Sequence, residues 1–145
     1  CVDLLDARDE KKAPLFSRCT WGVVWPASAA PSPQGDALTL AVQPLDTWRE
    51  MWVFRKGAAG WQLDVLPPAL DNPDLGYIEF AGWVPGGQQL LAARELRAGQ
   101  QYRTSFETVS LSTLLTDRQA DRPSSLTPFY RWQSPQWKAG TVAVR

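Results

Sequence analysis

The stretch PQGDALTLAV, residues 33–42, is the most informative about the fold because it recurs twice along the chain. A second copy, PGGQQLLAA, begins at Pro85, an offset of 52 residues, and a third, PQWKAGTVAV, begins at Pro135, an offset of 50. The residue eight positions after each proline is alanine: Ala41, Ala93 and Ala143. A period near 50 residues is typical of repeat architectures, so the sequence predicts a repeated structural unit.

Each copy differs from the others at one informative position. Aromatic residues stand five positions before the proline in the second and third copies, as Phe80 and Tyr130, but the first copy has Ser28 there. The third copy has Trp137 where the first two have Gly35 and Gly87. The first copy therefore breaks the aromatic pattern, and the third needs a different turn.

The residues around these copies predict β-strands joined by tight turns. Proline and glycine favour the turn, and the consecutive apolar residues that follow predict a strand buried on both faces. Residues 47–55 and 101–111 alternate with a period of two, which predicts a second strand in each unit. The glycines of residues 57–60 predict a hairpin, and residues 2–4 with 15–16 predict another at the start of the chain.

Two stretches also permit helix. Residues 88–101 are rich in Leu, Ala, Gln, Glu and Arg, which have good helix propensity. Their equivalents in the other copies, residues 38–42 and 142–144, favour strand, so we predict strand here as well. Residues 111–119 are left open between a short helix and a strand.

The repeat resembles the WD40-like, TolB-type β-propeller repeat. The resemblance lies in "APSPQGDALTLAV", "GWVPGGQQLLAAR", "RWQSPQWKAGTVAV" and "VDLLDARDE". It implies an all-β fold of antiparallel blades, with two complete blades and partial blades at both ends. Residues 1–27 would end one blade, residues 28–68 and 77–126 would each form a blade, and residues 130–145 would be an opening or closing strand.

A closed propeller needs about four or more blades, and the chain holds fewer than three. The resemblance therefore implies a partial propeller, the C-terminal portion of a longer chain. Two blades alone would leave apolar faces and strand edges open to water, which promotes association. We expect a protein partner to cover that surface: the missing N-terminal part of the same protein, or a second copy.

Composition excludes several classes of function. The 15 basic and 15 acidic residues balance, with no long basic run, which argues against a nucleic-acid partner. No apolar run approaches the roughly 18 residues that a transmembrane helix requires. The chain has no histidine, so Ser-His-Asp chemistry cannot be assembled from it. Paired acids such as Asp71 and Asp74 are explained as solvated turn residues, and we predict no catalytic residue, metal or cofactor.

Two cysteines, Cys1 and Cys19, are separated by 17 residues. A disulfide could close this loop in an oxidising compartment, and two buried or free thiols are the alternative. Cys1 could instead carry the lipid of a bacterial lipoprotein. Zinc is not expected, because neither the spacing nor the partner residues suit it.

Aromatic residues are the remaining functional candidates. We predict that Trp52 and Trp83 pack in the core, and that Trp48 and Trp137 are the most exposed. With Arg49 and Arg131 they form the candidate binding set.

The resemblance implies a non-enzymatic module for protein binding or scaffolding, periplasmic or otherwise exported from a bacterial cytoplasm. A cytoplasmic location stays open. Two other functions are also open. The chain could be an accessory or gating propeller of a hydrolase-like enzyme whose catalytic residues lie outside it, or it could bind glycans through exposed tryptophans.

Overall fold

The computed structural model describes residues 1–139, of which 54% are in strands and 10% in helices. This confirms the predicted all-β class. The strands are β1 Val2–Leu4, β2 Phe16–Arg18, β3 Val23–Pro31, β4 Ala37–Leu45, β5 Trp48–Gly57, β6 Gly60–Leu66, β7 Leu75–Trp83, β8 Gln89–Ala98, β9 Gln101–Ser110 and β10 Thr116–Ala120. A 3-10 turn, Pro123–Ser125, then precedes two short helices, α1 Thr127–Trp132 and α2 Pro135–Ala139.

Two antiparallel meanders make up the main sheet. The first meander is β3–β4–β5–β6 and the second is β7–β8–β9–β10. A short parallel bridge joins them, in which Trp48 pairs with Gly76 and Arg49 with Tyr77. The two copies of the turn, at residues 33–36 and 85–88, connect equivalent strands of the two meanders. No closed propeller is formed within residues 1–139.

The stretches that permitted helix are strands here. Residues 89–98 form β8, which pairs along its length with both β7 and β9. Residues 111–113 are a turn and residues 116–120 are β10. Pairing on two sides satisfies the backbone N–H and C=O groups of β8 that a helix would satisfy internally, which is why tertiary context outweighs helix propensity.

The core between the two meanders explains the consecutive apolar residues. Met51 and Val53 of the first meander pack with Ile78 and Leu90 of the second, all at most 1% exposed. Alternate residues of β4 and β8 point to this core or to the opposite face, as side chains of a strand must. The prediction that these runs are buried on both faces is therefore confirmed.

Part of the outer face of each meander is covered by a terminal segment of the described chain. The hairpin β1–β2 packs Val2 and Phe16 against the buried face of the first meander. The segment after β10 packs Leu126 and Phe129 against the second, and Phe129 is 0% exposed. These terminal segments therefore bury apolar clusters of both meanders, and a protein partner on the remaining surface stays a prediction.

The predicted strand over residues 130–145 is wrong where the structure describes it. Tyr130 lies in α1, and residues 135–139 form α2. The cause is Trp137, which replaces the turn glycine and packs its ring edge-on against Phe106 and Phe129. Pro135 begins α2, a position where its missing N–H costs no hydrogen bond. The apolar run of residues 141–144 lies outside the described residues.

Candidate functional site

A cleft of about 300 Å³ lies between β3, β7 and the C-terminal helix α2. We call it the β3–β7 cleft. Most of the residues in its walls are apolar, and they come from separate parts of the sequence. They include Trp25, Ala27, Ser28, Phe80, Gln136 and Trp137. Its volume matches the lower end of the range for ligand pockets and suits one or two side chains rather than a large cofactor.

A bulge in β3 forms one wall of the cleft. The pairing of β3 with β4 shifts between Trp25 and Ala30, so that residues 26–29 leave the regular ladder. The Ser28 hydroxyl holds the bulge in place, because it donates to the Trp25 carbonyl at 2.6 Å and accepts from the Ala41 amide at 2.8 Å. These two bonds replace ladder contacts that the bulge removes.

Ser28 is also the residue that breaks the repeat. The second meander has Phe80 at the equivalent position, and both residues line the cleft. A small polar side chain in place of an aromatic ring leaves space between β3 and β7. The signal for the site was therefore visible in the sequence, although only the fold shows that it marks a cleft.

A buried ion pair forms the floor of the cleft. Arg49 Nη1 lies 3.2 Å from Glu79 Oε1, and the two side chains are 5% and 8% exposed. Arg49 also donates from Nε and Nη2 to Gln43 Oε1, at 3.2 and 3.0 Å. Its guanidinium lies over the rings of Trp25 and Tyr77, 5.4 and 4.9 Å from their centroids. Several partners therefore compensate the desolvation of the charge.

Glu79 joins the C-terminal helix to this pair. Trp137 Nε1 donates to Glu79 Oε2 at 3.1 Å, while Glu79 Oε1 accepts from Arg49. Two of the residues in the candidate binding set, Arg49 and Trp137, thus meet at one carboxylate. Glu79 itself was not among the predicted site residues, since an isolated Glu in an apolar strand carries no motif.

The other two candidates, Trp48 and Arg131, lie outside the cleft. Trp48 is half-buried beside Gly76, where a Cβ in place of the glycine hydrogen would lie 3.1 Å from its ring. Arg131 is exposed on α1, with its guanidinium 5.1 Å from the centroid of the Trp132 ring. Trp137 is half-buried, and Arg49 is buried where β5 pairs with β7.

The tryptophans assigned to the core behave differently from one another. Trp52 is 4% exposed, in the cluster under the hairpin β1–β2. Trp83 is half-buried against the central core and donates from Nε1 to the Ala30 carbonyl at 3.3 Å. The most exposed tryptophan of the described residues, Trp21, was not singled out by the sequence.

A second and larger cleft, of about 650 Å³, lies between the loop after β6 and strands β9 and β10. Its floor is the ion pair of Arg94 Nε with Glu107 Oε2, at 2.8 Å. The hydroxyls of Ser105 and Thr116 donate to the two oxygens of Glu107. Arg94 also donates to the carbonyls of Pro67 and Pro68. Arg94 and Glu107 at the floor of this cleft are therefore satisfied by each other and by neighbouring hydroxyl and carbonyl groups.

Cys1 and Cys19 are joined in a disulfide, the first of the two arrangements that the spacing allowed. A lipid on Cys1 would be attached to the same sulfur, so the lipid and this disulfide exclude each other. Within residues 1–139 there is no group of three or more His, Cys, Asp or Glu side chains placed to hold a metal ion. The helices of that same range are all too short to cross a bilayer.

Comparison with protein-family models, with curated proteins and with solved structures found no match. Function is therefore inferred from the geometry of the chain itself.

Proposed function

We propose that the chain is a non-enzymatic, propeller-type module that binds another protein, and that the β3–β7 cleft receives an apolar side chain of that partner. The observation that carries the proposal is the composition of the cleft. Aromatic rings of Trp25, Phe80 and Trp137 surround a space large enough for one or two side chains. Buried pockets lined by Trp are the places where protein interfaces gain most of their binding energy.

The charges at the floor support a binding role over a catalytic one. Arg49 and Glu79 neutralise each other, and each Glu79 oxygen already accepts a hydrogen bond from Arg49 or Trp137. A catalytic acid or base needs access to a reacting group. A neutral, pre-organised floor instead allows an apolar group to enter without leaving a charge unpaired.

Two further observations support the propeller relationship and the compartment. Each meander has four antiparallel strands, and equivalent turns recur at an offset of 52 residues, as in the blades of a propeller. The disulfide between Cys1 and Cys19 favours an oxidising compartment such as the bacterial periplasm. We therefore propose that the module acts outside the cytoplasm, with a distinct protein or the rest of its own chain as the partner.

The test is a random-peptide display library selected on the oxidised full chain, followed by affinity measurements on two matched variants. Ala27→Trp fills the cleft, because Ala27 lines it and makes no side-chain hydrogen bond. Ala29→Trp adds the same bulk on the same bulge, at a residue that does not line the cleft. We expect the first variant to weaken the selected peptide by about tenfold or more and the second by less than about twofold.

Equal binding to both variants would remove the cleft from the proposal. Circular dichroism and thermal unfolding of each variant show that the fold is retained. An oligosaccharide array provides the arm for the glycan alternative: binding of sugars without enrichment of any peptide contradicts a protein partner. Cleavage of selected peptides by the chain would contradict the non-enzymatic role.

A further inference from the structure

The hairpin β1–β2 shares no strand pairing with the larger sheet, so beyond the chain that leads into β3 its side chains hold it against the rest of the described molecule. Its backbone pairs internally, through Val2 with Arg18, Asp3 with Ser17, and Leu4 with Phe16. The larger sheet is separate from it throughout residues 1–139. Each strand has only three residues, and a hairpin of this size is marginal in water by itself. Something other than strand pairing must keep it in place.

The hairpin covers an apolar cluster of the first meander. Leu40, Val42, Trp52 and Phe54 are at most 5% exposed in this cluster. Phe16 packs against Phe54 with ring centroids 5.9 Å apart, in the edge-on geometry that aromatic pairs prefer. If the hairpin leaves, part of this face meets water.

The disulfide lies at the open end of the hairpin. Cys1 precedes Val2 and Cys19 follows Arg18, so the covalent bond is next to the outermost backbone pair. At the opposite end, residues 5–15 form a long, charged connection with exposed ion pairs of Arg8 with Asp6 and Lys12 with Asp9. Exposed pairs of this kind contribute little to stability. The disulfide is therefore a stronger restraint on the hairpin than these ion pairs are.

We propose that the Cys1–Cys19 disulfide is a redox-sensitive clasp, whose reduction releases the hairpin and uncovers the apolar face of the first meander. Both cysteines are exposed, so a thiol reductant can reach the bond. This inference is independent of the β3–β7 cleft.

The reaction is thiol–disulfide exchange with a dithiol. One thiolate of the dithiol attacks a cysteine sulfur, the Cys1–Cys19 bond breaks, and a mixed disulfide forms. The second thiol of the reagent then displaces the protein sulfur. Two electrons and two protons pass to the protein, which ends with two cysteine thiols, and the dithiol is oxidised to a cyclic disulfide.

The central core contains no residue of the hairpin. The core between the two meanders contains residues from Ala37 to Leu111, and the C-terminal helices cover the opposite end of the molecule. Reduction therefore opens one face and leaves both meanders folded. A disulfide that closes a loop of this length shifts the equilibrium between the ordered and the disordered hairpin by roughly 100-fold. Reduction should therefore shift this equilibrium toward the disordered hairpin.

The experiment compares hydrogen–deuterium exchange of the full chain before and after treatment with dithiothreitol. We expect amides of residues 2–18 to exchange on the order of 100-fold faster after reduction, while those of β4, β5, β8 and β9 keep their protection. Binding of the dye ANS should rise at the same time, since the apolar cluster becomes accessible. The double variant Cys1→Ser/Cys19→Ser should behave like the reduced chain and ignore the reductant.

Phe16→Ala with the disulfide intact is the matched control for lost packing without a lost bond. It should raise exchange of the hairpin less than reduction does. Three results would overturn the proposal: hairpin exchange that reduction leaves unchanged, free thiols in the chain purified without reductant, or loss of protection in both meanders at once. The last would make the disulfide a general stabiliser rather than a clasp.

Discussion

At the scale of single residues, Glu79 organises the candidate site. It lies on β7, 8% exposed, and receives hydrogen bonds from Arg49 of β5 and Trp137 of α2. A buried carboxylate is unfavourable unless charge and hydrogen bonds compensate it, and these two partners do so from opposite sides. The ion pair therefore ties the junction of the meanders to the C-terminal helix.

Glu79→Gln should lower the free energy of unfolding by about 3 kcal/mol, because Arg49 then stays buried without its counter-charge. The measurement is urea unfolding followed by circular dichroism. Asp9→Asn is the matched control, since it breaks the exposed pair with Lys12 and should change stability by less than about 0.5 kcal/mol. Similar values for both variants would mean that the buried pair contributes no more than a surface pair.

At the scale of elements, the C-terminal helices depend on a close approach to β7. The Ser134 amide donates to the Ala81 carbonyl at 2.6 Å, next to Gly82. A Cβ at Gly82 would lie 2.6 Å from the Trp132 carbonyl oxygen and 3.1 Å from the Ser134 nitrogen. Both contacts are with backbone, which cannot rotate away as a side chain can. The link between α1 and α2 therefore fits only against glycine.

Gly82→Ala should displace this link and destabilise the protein by about 1–3 kcal/mol, the usual cost of overpacking. Hydrogen exchange should locate the change in residues 126–139, and thermal unfolding gives its size. Gly57→Ala is the control, because a Cβ at Gly57 would have its nearest neighbouring atom 3.7 Å away. Unchanged hydrogen exchange in α1 and α2 of the Gly82→Ala variant would contradict the close approach of their connecting backbone to Gly82.

At the scale of the whole molecule, two packed meanders lie between two terminal covers. The hairpin protects one outer face, and α1 with α2 protects the other. Two of the edge strands are also poor templates for association: β3 contains Pro26 and Pro31, and β10 is short and carries Asp117 and Arg118. Prolines and charges on an edge strand prevent pairing with another chain.

We expect the oxidised chain of residues 1–145 to be a monomer by light scattering and to unfold in one cooperative transition. The reason is that, within residues 1–139, the terminal segments bury the apolar clusters on the outer faces of both meanders. A stable dimer, or unfolding in separate steps for the two meanders, would contradict this and favour a second copy as the partner of the module.

Much of the local structure of this protein follows from its sequence alone. The repeat at an offset of 52 residues, the turn glycines and the alternating apolar residues predicted β4, β5, β8, β9 and the hairpin at residues 57–60, whereas β3 and β7 were not predicted and β10 was left open. These features depend on nearby residues, whose turn preferences and side-chain alternation act over a few positions. The sequence also showed that Ser28 replaces the aromatic residue of the other copies, but it did not show that this position lines a cleft.

The covers of the meanders and the position of the site depend instead on tertiary packing. Trp137 turns the third copy into helix because it packs against Phe106 and Phe129, which lie elsewhere in the sequence. Arg49, Glu79 and Trp137 meet because a two-residue bridge sets β5 beside β7 and α2 folds back over it. Such contacts arise from the burial of distant apolar and charged groups together, and that burial has no local pattern in the chain.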